Sequence, residues 1–142
     1  MEEEKKLDFW QDHSINYIKM ALNTEQMEIP QHPDAYGKNK GACGDRVEIF
    51  LTVQDDYILS ASFNMDGCMN TRAAANTVVM MIEGKSVKEA WGISPDSVIE
   101  YLETLPKESE HCAELAVGAL YKALANYQEL KQHSWKKLYQ KR

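Results

Sequence analysis

The sequence has no long hydrophobic run and few cysteines. No apolar stretch approaches the roughly 20 residues that span a bilayer, so we expect no membrane anchor. The first six residues, MEEEKK, offer no basic segment followed by an apolar one, so we expect no secretory signal. Three cysteines form an odd and sparse set, whereas secreted disulfide scaffolds carry even and dense ones. We therefore expect a cytoplasmic protein with reduced thiols.

Positive charge is also scarce. The 16 basic residues are outnumbered by 22 acidic ones, for a net charge of −6. An acidic chain neutralises phosphate backbones poorly, so we expect no nucleic-acid partner. No GxGxxG, P-loop, GxSxG or HExxH pattern is present. With 142 residues, 44% of them hydrophobic, the chain is long enough for one buried core.

The first half of the chain predicts a helix, a loop and a hairpin. Apolar residues at near-helical spacing predict an N-terminal helix within residues 1–29, and residues 31–44, which hold three glycines, predict a loop. Residues 46–53 and 57–65 alternate with period two across a short polar link, which predicts an antiparallel hairpin. The alternation in the second strand places Tyr57, Leu59, Ala61, Phe63 and Met65 on its apolar face.

The second half is helical. Apolar residues from Thr71 to Ile82 follow the helical period, and the helix is predicted to stop at Gly84. Ser86 to Glu89 fits a capping box, residues 94–96 mark a further helix start, and the last helix is predicted from about residue 109. This order predicts an α+β domain in which helices, and a third strand if one forms, cover a small antiparallel sheet.

The three cysteines have similar local settings. Cys43 lies in a glycine-rich loop, Cys68 lies where the hairpin gives way to a helix, and Cys112 lies in the first turn of the last helix. No CxxC pair is present, which excludes a zinc ribbon or a thioredoxin-type motif. Helix N-termini lower thiol pKa values and favour the thiolate, which binds soft metals or attacks sulfur. The pattern indicates that the thiols can meet at one end of the sheet.

Each of these residues also has a structural interpretation. A single cysteine is about as often a small buried hydrophobe as a ligand. Asp45, two residues after Cys43, either caps a turn or supplies a carboxylate ligand. His111, next to Cys112, is either solvated at the helix start or serves as an imidazole ligand or proton carrier. Three thiolates with one carboxylate or imidazole would complete a site for zinc or an iron–sulfur cluster.

Over about residues 32–130 the chain resembles the IscU-type iron–sulfur cluster assembly scaffolds and the N-terminal domain of NifU. The matching segments, in the family's order, are Ala42-Cys43-Gly44-Asp45, Phe63 before Gly67-Cys68, Gly84-Lys85-Ser86-Val87 with Glu89-Ala90, Leu105-Pro106, and His111-Cys112. Together they are specific, although each alone is weak. The resemblance implies a NifU/IscU-like domain at 31–130, a helical extension at 1–30 and a basic helix end at 131–142.

The resemblance also implies a function and a ligand set. The family assembles a transient [2Fe-2S] cluster from iron and from persulfide sulfur supplied by a cysteine desulfurase, and passes it to apo iron–sulfur proteins. Cys43, Cys68 and Cys112 match the cluster ligands, Asp45 the aspartate that keeps the site exchangeable, and His111 a histidine that can act as a ligand. Cys112 also matches the persulfide acceptor. We expect a scaffold rather than an enzyme, with sulfurtransferase activity compatible with that role and zinc able to occupy the cluster-free form.

One departure from the family concerns a partner. The family's Leu-Pro-Pro-Val-Lys segment, which a dedicated Hsp70-type chaperone binds, is Leu105-Pro106-Lys107-Glu108-Ser109 here. We therefore do not expect that chaperone to be a partner. Ser109 stands at the family's lysine position, and Lys107 is close enough in sequence to reach the site.

Two other interpretations stay open. A zinc-containing protein that resembles SufU would bind zinc tightly and use one thiol to accept and donate sulfur. Such chains typically carry an insertion between the second and third cysteines, and the interval between Cys68 and Cys112 has the uninserted length, which favours the scaffold. An interaction domain with a degenerate site would bind no metal.

Overall fold

The computed structural model describes residues 13–42 and 44–140, with side chains described as far as residue 132. The described residues form helices and one β-sheet. In chain order they are α1 (Ile15–Leu22), β1 (Ala35–Lys40), β2 (Arg46–Gln54), β3 (Tyr57–Asp66), α2 (Met69–Ile82), α3 (Val87–Ala90), α4 (Pro95–Leu102), a 3-10 turn (Lys107–Ser109) and α5 (Glu110–Gln140). The expected α+β architecture is confirmed.

The sheet is antiparallel, with strand order β1-β2-β3. The predicted hairpin is β2 and β3, joined by a two-residue turn at Asp55 and Asp56. Both turn residues have positive φ, 55° and 64°, as a tight hairpin turn requires, and short acidic or amide side chains tolerate that conformation. The side chains of Val47, Ile49 and Leu51 are fully buried beneath the helices.

The prediction of a loop over residues 31–44 is wrong in its middle part, which forms strand β1. The sequence AYGKNK lacks an apolar alternation because the residues that face the core are small. A Cβ at Gly37 would overlap the backbone nitrogen of Ala123 and the carbonyl oxygen of Ala119 in α5. The strand therefore pairs with β2 and lies against the α5 backbone, a role for which glycine and alanine suit it.

The prediction of which side chains of β3 face the core is wrong at the start of the strand. Tyr57 and Leu59 are 54% and 55% exposed, whereas Ile58 is fully buried. The pairing of β2 with β3 shifts between Thr52 and Val53. A shift of one residue exchanges the two faces of a strand, so the alternation seen in the sequence holds only from Ala61 onward.

Capping residues, proline and glycine determine where the helices begin and end. Ser86 and Glu89 form the predicted capping box of α3, and Ser94 caps α4 with Pro95 in its first turn. Helix α2 stops before Gly84, whose φ of +80° suits glycine. Helices α2 and α5 pack on each other and on the sheet, and α4 packs on both.

The N-terminal helix α1 packs on α2 and adds Tyr17, Met20 and Ala21 to the core. Ser14 caps it and donates a hydrogen bond of 2.8 Å to the Leu102 carbonyl at the end of α4. The rest of the predicted helical region, residues 1–12, lies outside the described residues. The predicted domain boundaries, at residue 30 and at residue 130, stay a prediction. Within the described residues, no helix combines the length and apolar character that crossing a bilayer requires.

Candidate metal centre

Three separate segments bring the predicted ligands together at one end of the sheet. Asp45 comes from the loop between β1 and β2, Cys68 is the N-cap residue of α2, and His111 and Cys112 lie in the first turn of α5. The loop is closed by a hydrogen bond of 2.7 Å from the Gly41 N–H to the Asp45 carbonyl. Cys43 lies within this loop but outside the described residues, so its assignment as a ligand stays a prediction.

The ligand atoms of Asp45, His111 and Cys112 all lie within 4.8 Å of one another. That spacing lets one metal ion bridge them after small side-chain movements, since zinc binds nitrogen, oxygen and sulfur at about 2.0–2.3 Å. Cys68 joins this group through Thr71, because its sulfur and that of Cys112 lie 3.8 Å and 3.6 Å from the same hydroxyl oxygen. Zinc binds thiolate, carboxylate and imidazole ligands, and iron–sulfur clusters bind thiolates and, in some proteins, imidazole.

The His111 ring is oriented as a ligand would be. Its Nδ1 lies 3.0 Å from the Glu108 carbonyl oxygen. Because a carbonyl can only accept, Nδ1 carries the hydrogen, and the neutral ring then presents a lone pair at Nε2. Nε2 lies 3.7 Å from the Cys112 sulfur. A backbone carbonyl that fixes the ring in this way is the usual support of a metal-binding histidine.

Cys68 has the environment of a reactive thiol. It is exposed. Partial burial opposes its ionisation, but the backbone of Thr71, the nearby Thr71 hydroxyl and the backbone of Asn70 favour the thiolate, and together they hold the pKa of the Cys68 thiol below its ordinary value. These donors belong to the first turn of α2, so the expectation of a helix N-terminus that favours the thiolate is confirmed at Cys68.

At Cys112 the expectation of a lowered pKa is wrong. The residue is only 1% exposed. Burial raises the pKa of the Cys112 thiol most strongly, and the Thr71 hydroxyl opposes this increase. The negative charges of Cys68 and Asp45 add to the increase, so the pKa of the Cys112 thiol lies above its ordinary value. The first turn of a helix lowers a thiol pKa only where the sulfur keeps contact with solvent or with free N–H groups, and the Cys112 sulfur is covered.

Several residues that shape this site were missed from the sequence. The sequence pattern shows Thr71 only as one residue of an apolar stripe. Tyr17 donates its hydroxyl hydrogen to Asn70 Oδ1, and Asn70 Nδ2 donates to Ser109 Oγ at 2.9 Å. Ser109, which stands at the family's lysine position, therefore links α2 to the turn before His111. The positions of Asn70 and Thr71 in the first turn after Cys68 are the one signal that could have identified them.

An open cleft of about 460 Å³ lies beside the ligands. Its walls are the loop after β1 and the first turns of α5, with lining residues Asn39, Lys40, Gly41, Ala42, His111, Glu114 and Leu115. The cleft is large enough for a small ligand or the tip of a partner loop. It gives the His111 side of the centre direct access from solvent.

Comparison with known protein families places the site in context. The family model described as the NifU-like N-terminal domain matches residues 22–134. The chain belongs to the NifU-like N-terminal domain family. The matched range contains Cys43, Asp45, Cys68, His111 and Cys112. The resemblance to this family that the short segments indicated is therefore confirmed.

Relatives of known function match a shorter stretch. An IscU iron–sulfur cluster assembly scaffold protein of Archaeoglobus fulgidus is 38% identical over 85 residues, which cover 60% of this chain and 56% of that protein. The Haemophilus influenzae IscU scaffold protein is 36% identical over 87 residues, 61% of this chain and 68% of its own length. The match thus spans little more than half of the Archaeoglobus protein.

Solved structures share the fold. The crystal structure of a protein from Fervidobacterium islandicum AW-1, described as an iron–sulfur cluster assembly scaffold for the SUF system, superposes with a TM-score of 0.69 at 17% identity, over 80% of this chain and 97% of that one. The N-terminal NifU-like protein of Brucella abortus gives a TM-score of 0.68 at 15% identity, over 82% and 94%. At such identities the likeness concerns the fold of the NifU family.

Proposed function

We propose that this NifU-family chain is a scaffold on which a labile [2Fe-2S] cluster is assembled and from which the cluster passes to apo iron–sulfur proteins. The observation that carries the proposal is the convergence of Asp45, His111 and Cys112 within 4.8 Å, with Cys68 joined through Thr71. The relatives from Archaeoglobus and Haemophilus, which are named as scaffolds for this process, support it.

The proposed ligands are the thiolates of Cys43, Cys68 and Cys112, with Asp45 or His111 in the fourth position. Thiolates suit iron–sulfur clusters, whereas a carboxylate suits harder cations and binds such a cluster less well. The exposed Cys68 and the open cleft beside His111 leave one side of the centre accessible. A cluster held in this way can be released, as a scaffold requires.

Sulfur is proposed to arrive as a persulfide on a cysteine desulfurase. The thiolate of Cys112 attacks the terminal sulfur of that persulfide, so a new S–S bond forms on Cys112, the old one breaks, and the desulfurase cysteine leaves as a thiolate. Reduction of the transferred sulfur to sulfide then takes two electrons from a separate donor. Because Cys112 is 1% exposed, its sulfur must become accessible first. The exposed Cys68 is therefore the second candidate acceptor.

A zinc-containing, SufU-like sulfur-transfer protein is the alternative function. Three thiolates with a carboxylate or imidazole also make a good zinc site, and the SUF-system protein of Fervidobacterium shares the fold. In that case zinc would stay bound, one thiol would accept and donate sulfur, and no cluster would form. We propose no Hsp70-type chaperone as a partner, since residues 107–109 form a 3-10 turn in place of the extended proline-rich segment that such a chaperone would bind.

Anaerobic reconstitution distinguishes these functions. The reduced chain is incubated with iron, cysteine and a cysteine desulfurase, and visible absorption, iron, sulfide and zinc are then measured. The scaffold predicts thiolate-to-iron charge-transfer bands with iron and sulfide in equal amounts. Zinc that resists displacement, with a persulfide located on one cysteine by mass spectrometry and no cluster, would establish the sulfur-transfer alternative. A chain that holds neither metal nor persulfide would contradict both.

A further inference from the structure

The hydroxyl of Thr71 lies at the centre of the ligand group. Thr71 is fully buried in the first turn of α2. Its hydroxyl donates a hydrogen bond of 3.1 Å to Asp45 Oδ2, and the sulfurs of Cys112 and Cys68 lie 3.6 Å and 3.8 Å from the same oxygen. One side chain therefore contacts a candidate ligand from each of the three segments that build the centre.

The backbone hydrogen bonding of helix α2 does not account for these contacts of the Thr71 hydroxyl. A buried threonine within a helix can donate to the carbonyl three or four residues earlier. Thr77 does so in the same helix, where its hydroxyl donates to the Ala73 carbonyl at 2.7 Å. In the part of the chain that the structure describes, the hydroxyl of Thr71 instead has the three ligand side chains as its partners.

Gly67 gives independent support. A Cβ at this position would lie 2.8 Å from Thr71 Oγ1 and 3.2 Å from Asp45 Cγ. The φ of Gly67 lies outside the left-handed region, so the backbone does not call for glycine there. The missing side chain thus leaves the space that the paired side chains of Thr71 and Asp45 occupy.

We propose that Thr71 is a positioning residue, which orients the Asp45 carboxylate toward the sulfurs of Cys68 and Cys112 and so places the fourth ligand of the centre. The proposal rests on the ligand set of the proposed function and adds a residue that acts through Asp45. A hydroxyl has one hydrogen to donate. When Asp45 Oδ2 accepts it, the other carboxylate oxygen is held in place for a metal ion.

The expected effect follows from how outer hydrogen bonds support metal ligands. Loss of such a partner typically weakens metal binding about 10–100-fold. Thr71→Val removes the hydroxyl and keeps the size and branching of the side chain. Thr71→Ser keeps the hydroxyl and removes only the methyl group. Thr77→Val is the matched control, since it removes a buried hydroxyl from the same helix at a site where the partner is a backbone carbonyl.

Zinc and cobalt binding to the reduced chain provides the test. Zinc affinity is measured by competition with a chromophoric chelator, and the cobalt-bound chain is examined by its visible absorption, which depends on the ligand set. We expect Thr71→Val to bind zinc about 10–100-fold more weakly with altered cobalt bands. Thr71→Ser and Thr77→Val should match the wild type. Gly67→Ala, which keeps the hydroxyl but fills its space, should weaken zinc binding as Thr71→Val does.

The decisive comparison uses Asp45→Ala as a background. If Thr71 acts through Asp45, Thr71→Val and Gly67→Ala will cause no further loss in that background, because coupled residues are not additive. Wild-type affinity in both Thr71→Val and Gly67→Ala, or a loss that adds in full to that of Asp45→Ala, would overturn the proposal. A wild-type chain that binds neither metal would overturn the ligand set as well, whereas intact metal binding without cluster formation would count against the scaffold function alone.

Discussion

The side-chain amide of Asn39, in β1, donates a hydrogen bond of 3.1 Å to the main-chain carbonyl of Leu115, in α5. It also accepts a hydrogen bond from Lys122 Nζ at 3.0 Å. Asn39 lies six residues before Asp45, and Leu115 lies three residues after Cys112. This contact joins the strand that leads into the Asp45 loop to the helix that carries His111 and Cys112.

The close approach of β1 to α5 gives a first prediction. Gly37→Ala would place a Cβ against the backbone of Ala123 and Ala119, which cannot rotate away. We expect it to lower the free energy of unfolding by about 3 kcal/mol, as overpacked cores do, and to weaken metal binding because the two segments of the centre separate. Urea unfolding and zinc competition measure the two effects.

Gly118→Ala is the matched control for that variant. Its Cβ would meet the side-chain amide of Asn39, at its nitrogen and at Cγ, and this side chain can rotate at the expense of its hydrogen bond. The loss of about 1 kcal/mol for that bond is offset by about 1 kcal/mol from replacing glycine inside a helix. We expect almost unchanged stability. Equal effects of the two substitutions would contradict the described contact between β1 and α5.

The reactivity of the thiols gives a second prediction. In the metal-free, reduced chain the exposed Cys68, whose pKa is lowered, should react with iodoacetamide faster than the buried Cys112, whose pKa is raised. As pH rises, the rate at Cys68 should reach its midpoint first. Mass spectrometry of digested protein over a pH series measures both rates. Unfolding in urea is the control, since it should remove the difference, and faster reaction of Cys112 in the folded chain would contradict the account.

A third prediction concerns Asp45. If its carboxylate keeps the fourth position of a bound cluster weak and open to water, Asp45→Ala should hold a reconstituted cluster longer than the wild type. The same variant should bind zinc less tightly, because a carboxylate is a good zinc ligand but a poor ligand for iron–sulfur clusters. The decay of visible absorption with a chelator present measures the cluster lifetime. Equal lifetimes in the two proteins would count against this role of Asp45.

A fourth prediction concerns the basic end of the chain, residues 131–142. Lysines and an arginine without any acidic residue there should favour encounter with a desulfurase of opposite charge. Deleting residues 131–142 should weaken binding to the desulfurase at low salt, and the difference should shrink as salt screens the charges. Lys131 itself pairs with Asp56 at 2.9 Å, so Lys131→Ala controls for loss of that local contact. Unchanged affinity of the deleted chain at both salt concentrations would contradict the prediction.

Most of the fold could be predicted because local chemistry determines it. The hairpin, the capping box at Ser86 and the start of α4 all depend on residues close together in the sequence. Strand β1 could not be predicted from its own sequence. Its residues that face the core must be small because the backbone of α5, more than 70 residues away in the sequence, packs closely against the strand. The reversed facing of Tyr57 and Leu59 depends on a register shift that only the paired strand reveals.

The candidate site divides in the same way. The identity of Asp45, Cys68, His111 and Cys112 was available from their order and neighbours, because the chemistry of each side chain is fixed. The environments of these side chains in the folded chain could not be predicted from the sequence. Cys112 becomes a buried thiol with a raised pKa only when three segments close over it. The role of Thr71 likewise needs a contact across 26 and 41 residues of sequence.

The most direct test of the scaffold function is cluster transfer. The reconstituted chain is mixed anaerobically with an apo-ferredoxin, with a chelator present to capture iron that is released free, and the spectrum of the holo-ferredoxin is followed. We predict that the ferredoxin gains its cluster while the chain loses its own, at a rate that the chelator does not reduce. If the ferredoxin stays empty while the cluster remains on the chain, or if the chelator captures all of the iron, the chain is not a scaffold.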